Sequence, residues 1–302
     1  MADERPGKMG IVKRVGGRAV ALETTLLVHG VPREAAPGLA AELDAIVRAE
    51  GANPALVGVV AGRPTVGMNA AELGAMLAAP KVPKANAANL GVFMHRREHA
   101  ATTVSATMEL AAGAGVRVFA TGGIGGVHKG YGQRLDISAD LAALARVPMV
   151  VVSSGVKSLL DVAATREVLE TLGVCVVGYR TDEFPAFYLR SAASVAGRAI
   201  GVDARFDDAA DLAAFARTEL ARRASAILVC NPIPPEAELD AAAFAGWLEQ
   251  AEQEAGGAAG RDVTPRVLAR LHELSSGATL RANLALVKSN AAVAGRIAAV
   301  LG

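Results

Sequence analysis

Cysteine, unbalanced charge and long apolar runs are all scarce in this sequence, and each scarcity excludes something. Only Cys175 and Cys230 occur in 302 residues, inside the apolar runs Gly-Val-Cys-Val-Val and Ile-Leu-Val-Cys. That count rules out a disulfide framework and reads as two buried strand thiols in a reducing cytoplasm. Thirty-one Lys and Arg against 30 Asp and Glu leave a formal charge of +1. No bulk field then favours nucleic acid, and any anion must be recognised locally. No stretch reaches about 18 uninterrupted apolar residues, and the charged N-terminus, Met1 to Lys8, has no apolar core behind it. These features argue against a membrane span and a secretory leader. No repeat with a period of about 20 to 50 residues and no heptad run is visible.

What the chain does have is a 52% hydrophobic content, enough to fill a sizeable core. Short β-rich apolar runs at Ala19–Leu22, Ala55–Val60, Val116–Ala120, Met149–Val152, Cys175–Tyr179 and Ala226–Cys230 read as strands buried on both faces. Between and after them, Ala36–Glu50, Thr103–Ala112, Ile137–Ala145, Ser158–Leu172, Ala209–Arg223, Ala241–Glu254 and Pro265–Leu274 repeat their apolar residues at helical spacing. Gly51, Gly173 and Asp240 mark helix ends. Alternating strand and helix predicts an α/β fold with a largely parallel central sheet, helices on both faces and a helical C-terminal segment ending near Leu301. The Gly-rich run Gly256–Arg261 is expected as a loop within one domain spanning 1–302.

Four segments concentrate glycine and polar groups at strand ends, where α/β sheets build their sites. In Ala21-Leu-Glu-Thr-Thr25, Glu23 leaves an apolar strand without a neighbouring cation. Desolvation there raises a carboxyl pKa towards the range of a proton donor; the plainer reading is a capping or structural acid. Phe119 to His128 runs from a strand into Gly122, Gly123, Gly125 and Gly126, whose backbone N–H groups can approach a ligand closely, or form only a tight turn. The spacing is not that of a dinucleotide fingerprint. Asp136, Ser138 and Asp140 alternate ahead of a helix, oxygen donors that suit a hydrated divalent ion and equally suit helix caps. Finally, Val150 to Ser158 carries Lys157 after a glycine turn. At a helix start, desolvation and the dipole favour a neutral amine able to form a Schiff base.

Two shorter patterns promise less. Ser154-Gly-Val-Lys157 fits S-x-x-K, but no S-D-N or K-T-G follows. His95-Arg-Arg-Glu-His99 fits H-x-x-E-H of inverted zinc peptidases, without an evident third ligand.

Together, Ala-Leu-Glu23-Thr-Thr, His29-Gly-Val-Pro, Ala101 to Met108, Phe119 to His128, Asp136-Ile-Ser-Ala-Asp-Leu and Gly-Val-Lys157-Ser-Leu-Leu-Asp161 resemble the pseudouridine-5'-phosphate glycosidase (indigoidine synthase A-like) family. Leu-Glu-Thr-Leu-Gly-Val174, Gly178 to Tyr188, Asn231-Pro-Ile-Pro234, Val263-Thr-Pro265 and Leu280 to Val287 extend the resemblance in the same order, from about residue 18 onward.

The resemblance implies reversible cleavage of the C–C glycosidic bond of pseudouridine 5'-phosphate to uracil and ribose 5-phosphate. It implies a divalent metal, usually Mn2+, and a homotrimer. By motif, Lys157 is the expected nucleophile, Glu23 the proton donor and Asp136 the metal-side carboxylate. Ser138, Ala139 and Asp140, with Lys81, Thr103, Val104 and Asn283, are the expected substrate-binding residues.

A C-glycoside has no heteroatom leaving group, so two carboxylates alone would have to expel a carbanion. A lysine that captures the opened sugar supplies the missing electron path. After Lys81-Val the family continues with a basic stretch such as Ser-Arg-Arg-Asp-Leu, whereas this chain reads Pro83-Lys-Ala-Asn-Ala-Ala-Asn-Leu90, where Lys84 can act as a point charge. Two alternatives stand beside the main expectation: a C-glycosynthase joining ribose 5-phosphate to an aromatic acceptor, and a non-catalytic sugar-phosphate binding protein.

Overall fold

The computed structural model describes residues 10–133, 135–254 and 263–302; the Gly256–Arg261 loop expected from the sequence lies outside them. The first half of the chain supplies β1 (Val12–Lys13), β2 (Ala19–Glu23), α1 (Ala36–Ala49), β3 (Asn53–Val60), β4 (Arg63–Val66), α2 (Ala70–Ala78), β5 (Lys84–Ala85), α3 (Leu90–Arg96), β6 (Ala100–Thr102), α4 (Val104–Gly113), β7 (Val118–Ala120), α5 (Ala139–Leu144) and β8 (Val150–Ser153). The second half adds α6 (Val162–Thr171), β9 (Cys175–Tyr179), α7 (Ala193–Ala196), β10 (Ala204–Phe206), α8 (Ala209–Arg222), β11 (Ile227–Cys230), α9 (Ala241–Glu254), α10 (Val263–Leu274) and α11 (Ala278–Leu301).

The strands join one sheet in the order β1-β4-β3-β2-β7-β8-β11-β9-β10. From β3 to β10 every neighbouring pair is parallel. All six expected strands fall in this parallel block, because each is an uninterrupted Val, Leu, Ile and Ala run that needs cover on both faces. Val20, Val59, Val151, Val177 and Leu228 are fully buried.

The antiparallel additions, β4 and β6 against β3, were not foreseen. They are short, and β4 carries Pro64, so they lack the apolar length that signals a strand. Helix α2 was also missed, although Asn69 and Glu72 form a reciprocal capping box at its start.

Helix α11 packs on both α1 and α8 and crosses β2, β7 and β8; α4 pairs with α5 and rests on β2 and β3. By length and composition α11 could cross a membrane, but half of its apolar window is buried against the rest of the protein. Lys288 ties it to Glu42 of α1, and Arg296 ties it to Glu50 at the end of that helix. It is the core helix of this fold.

The chain leaves β2 towards β3 on one side and leaves β7 towards β8 on the other. The gap above the carboxyl ends of β2 and β7 is therefore a topological switch point, the place where open α/β sheets hold ligands.

Candidate active site

At that switch point a pocket of ≈ 130 Å³ is lined by Glu23, His29, Lys84, Gly122, Gly123, Lys157 and Phe187, with Leu268, His272, Asn283 and Val287 from the C-terminal helices. A larger cleft of ≈ 370 Å³ between α1 and α2 is lined almost wholly by apolar residues, Asp44 being its one ionisable group. It offers no chemistry. The smaller pocket gathers the charges.

Glu23 ends β2 and accepts a short hydrogen bond from the Thr121 hydroxyl, one residue past β7. Burial pushes its carboxyl upward; the Lys157 ammonium, the Thr121 bond and Lys84 pull the other way, and Asp140 adds to the rise. The group keeps some accessible surface towards the pocket, so it is desolvated yet reachable, as a proton donor must be.

Lys157 is reached by a different route from the one expected. Helix α6 begins at Val162 with Asp161 as its cap, so Lys157 lies in a loop and the helix dipole does not act on it. Its position is fixed by backbone. Lys157 N–H donates to Ile124 O at 3.1 Å, Ser154 N–H to Gly122 O at 2.9 Å and Ile124 N–H to Gly155 O at 3.0 Å. Gly155 has φ +75°, and a Cβ there would sit 1.8 Å from Pro185 O; only glycine permits that turn.

The four glycines after β7 serve a different end. None has positive φ, so conformational freedom is not their purpose. A Cβ on Gly123 would strike the Phe187 ring at 2.5 Å, and one on Gly125 would meet Ser138 Oγ at 2.3 Å and Asp140 Oδ2 at 2.9 Å. They permit close approach.

Asp140 is buried behind this loop, not in the pocket lining. Its two oxygens accept the N–H groups of Ser105 at 3.1 Å and Gly125 at 2.9 Å. Ser138 caps α5 through Asp140 N–H, with Ala139 as the first residue of the helix. These three buttress the glycine loop, and Asp140 reaches the site by its charge on Glu23.

Of the other expected residues, Asn283 lines the pocket. Thr103 and Val104 open α4, whose first-turn N–H groups point out of the helix start; Thr103 N–H is tied to Ala85 O at 2.9 Å. Lys81 is exposed and outside the lining. Lys84, on β5, takes the expected place in the pocket. Burial pushes its amine below the ordinary lysine range, and Lys157 adds to the fall while Glu23 opposes it. Strand β5 pairs with β6 and sets Lys84, still partly open to solvent, at the rim of the pocket, whereas Lys81 precedes it in an irregular segment outside the lining.

Residues without a prior role also matter. His29 is held neutral, at about 4, by burial first and then by Lys84 and Arg33, against a backbone hydrogen bond. Asn290 on α11 is fully buried and donates to Thr121 O at 2.8 Å and Gly122 O at 3.3 Å. It donates as well to Ser154 Oγ at 3.2 Å, and accepts from Asn231 at 2.8 Å. It clamps the ends of β7 and β8 together. No spacing rule would have found it, since a lone Asn in an apolar helix has no local signal.

Asp136 is partly exposed beside His128, whose Nδ1 is 3.9 Å from its carboxylate. Among the described residues no group of three or more His, Cys, Asp or Glu could cage a metal. The donor set thus fits only a hydrated ion anchored through one carboxylate. The zinc-peptidase pattern fails on geometry: α3 ends with Arg97 in a left-handed conformation, so His95 and His99 are not one turn apart on a helix.

Residues 14–300 match the family described as indigoidine synthase A like protein. The chain belongs to that family. The Nocardioides sp. relative, named pseudouridine-5'-phosphate glycosidase, is 45% identical over 94% of this chain and 92% of its own length. A Methylobacterium nodulans relative of the same name is 46% identical over 95% and 84%. Two solved family structures superpose closely. The indigoidine synthase A-like protein of Thermotoga maritima has TM-score 0.87 and 36% identity over 99% of this chain and 98% of that one. The prealnumycin C-glycosynthase AlnA, in complex with ribulose 5-phosphate, has TM-score 0.85 and 34% identity over 94% and 91%.

Proposed function

We propose that this family member reversibly cleaves the C–C bond of pseudouridine 5'-phosphate, giving uracil and ribose 5-phosphate. One observation carries the reading: a buried carboxyl and a lysine from separate strand ends, Glu23 and Lys157, share one switch-point pocket and feel each other's charge. The names of the relatives agree with it.

In this scheme Glu23 donates its proton to the ring oxygen as the C1'–O4' bond breaks, and the neutral Lys157 amine bonds to C1'. The nitrogen, now a secondary ammonium, gives its extra proton to the Glu23 carboxylate, which passes it to C5 of the base. The C1'–C5 electrons restore the C5–C6 double bond, and the lysine lone pair forms a C1'–nitrogen iminium. Water hydrolyses the iminium, returning Lys157 as an amine and the sugar as an aldehyde. Lys84 and Lys157 supply the positive charge in the lining that suits the sugar phosphate. When bound, a divalent ion such as Mn2+ held through Asp136 would order waters and polarise ligand oxygens. The same reading carries a homotrimer and a cytoplasmic setting, which the free thiols of Cys175 and Cys230 suit.

Borohydride reduction in the presence of ribose 5-phosphate tests the scheme. A single pentose phosphate adduct is expected, mapping to Lys157; an adduct on Lys84, or none, overturns the assignment. The C-glycosynthase reading draws on AlnA and on the uncharged Ala85–Asn89 loop. Adduct formation without uracil release from pseudouridine 5'-phosphate would favour it. A Lys157→Ala protein that keeps its ligand affinity but loses turnover dismisses a purely binding role.

A further inference from the structure

His272 lies on α10 and lines the pocket, half-buried. Its surroundings differ from those of the acidic and basic residues on the opposite side of the lining. Glu23, His29, Lys84 and Lys157 form one electrostatically coupled set, whereas His272 is depressed by burial alone. Its neighbours in the lining from the same helical segment, Leu268, Asn283 and Val287, are uncharged. This side of the pocket suits a neutral planar group, and the charged side suits a sugar phosphate.

The orientation of the imidazole is fixed by a closed ring of contacts. His272 Nδ1 lies 2.5 Å from Thr279 Oγ1, Thr279 Oγ1 lies 3.0 Å from Ser275 Oγ, and Ser275 Oγ lies 3.3 Å from His272 O. The carbonyl can only accept, so the Ser275 proton points to it. The Thr279 proton then goes to Ser275, and Thr279 Oγ1 must accept from Nδ1–H. The reverse direction leaves the Ser275 contact to the carbonyl without a proton, so only one tautomer satisfies all three contacts. Nε2 is left as a bare acceptor, with no partner among the described residues. Thr279 and Ser275 are buried, and Gly277, at φ +77°, turns α10 into α11 between them, so the imidazole is held rigidly.

We infer that His272 reads the base, its Nε2 accepting a ring N–H of the nucleobase. The inference rests on the pseudouridine 5'-phosphate reading and adds a specificity determinant to it. A uracil joined through C5 keeps both ring N–H groups, whereas one joined through N1 has lost the first. A neutral acceptor on the uncharged wall therefore matches the C-linked base.

The test runs in the synthetic direction, with ribose 5-phosphate and uracil, 1-methyluracil or 3-methyluracil. His272→Val is expected to raise the KM for uracil about ten- to a hundredfold while borohydride trapping of ribose 5-phosphate stays at the wild-type level. His272→Gln, which keeps an acceptor, should recover part of that loss. Wild type should reject one of the two methyluracils by a comparable factor, and His272→Val should not distinguish it from uracil. An unchanged KM for uracil in His272→Val, or a methyl penalty that survives the substitution, overturns the inference. Wild-type protein that traps no ribose 5-phosphate overturns the parent reading, and this one with it, whereas trapping with an unchanged KM sinks the His272 role alone.

Discussion

The pocket has two unlike walls. One is made of strand ends, where Glu23, Thr121, the glycine loop and Lys157 are placed by the sheet ladder and by backbone bonds across it. The other is made of helices α10 and α11, which present Leu268, His272, Asn283 and Val287 as side chains on a packed surface. The difference teaches how labour is divided in such a site. Groups that must meet to a fraction of an ångström sit where the parallel sheet leaves little freedom. Groups that choose among bases sit on helices, where one side chain can change without moving the others.

The comparison breaks first at Glu23 if the strand wall is not the chemical one. Glu23→Gln should lower kcat by about 10²- to 10⁴-fold and leave the KM for uracil near that of wild type. The pH dependence has a definite sign. Burial raises the Glu23 carboxyl, so the folded state holds its proton more tightly than the unfolded chain. Proton donation is available below the raised value and is lost as pH climbs through it. The linked stability is fully present below the unfolded pKa and fades over the same rise. A kcat profile without a basic-limb decline, or one unchanged in Glu23→Gln, would contradict this.

Asn290 sharpens the comparison because it joins the two walls. Replacing it with Ala leaves Thr121 O without its side-chain donor, while Gly122 O keeps Ser154 N–H and the Asn231 amide keeps Ser289 Oγ. The expected loss is about 1–3 kcal/mol of stability, measurable as a lower urea midpoint with an unchanged m-value. A loss below about 0.5 kcal/mol would show that the clamp is not structural.

The strand wall was largely legible in the sequence. Glu23 and Lys157 each follow a short apolar run that can only be an inner strand, and Cys175–Tyr179 and Ala241–Glu254 are found with the expected bounds. Its reasons were less legible. Lys157 was expected at a helix start and lies in a loop, because Asp161 caps α6 instead. The four glycines were expected to bring their N–H groups close to a ligand or to form a tight turn; none has positive φ, and Gly123 and Gly125 make room for Phe187, Ser138 and Asp140. Ser138 and Asp140 looked like ligand groups, yet their alternation reflects an N-cap and a buried carboxylate holding two backbone amides. The helical wall was almost illegible. His272 and Asn290 act through partners seven residues or more than a hundred residues away, and amphipathic periodicity says nothing about which helix face meets a pocket.

The smallest effect separates two lysines three residues apart. The resemblance favoured Lys81, but pairing of β5 with β6 puts Lys84 in the lining beside Glu23 and Lys157; both lysines are exposed, and Lys81 lies outside the pocket. An exposed lysine with no ligand to hold contributes little, so Lys81→Ala should change kcat/KM by less than about twofold. Lys84→Ala removes a cation from a pocket that must bind an anionic sugar, and should raise the KM for ribose 5-phosphate about tenfold. Its effect on uracil should be slight, since the base meets the other wall. Equal sensitivity of both substrates to Lys84→Ala would mean that the charged and uncharged halves are not separate, and a tenfold effect at Lys81 would mean that the strand pairing at β5 differs in solution.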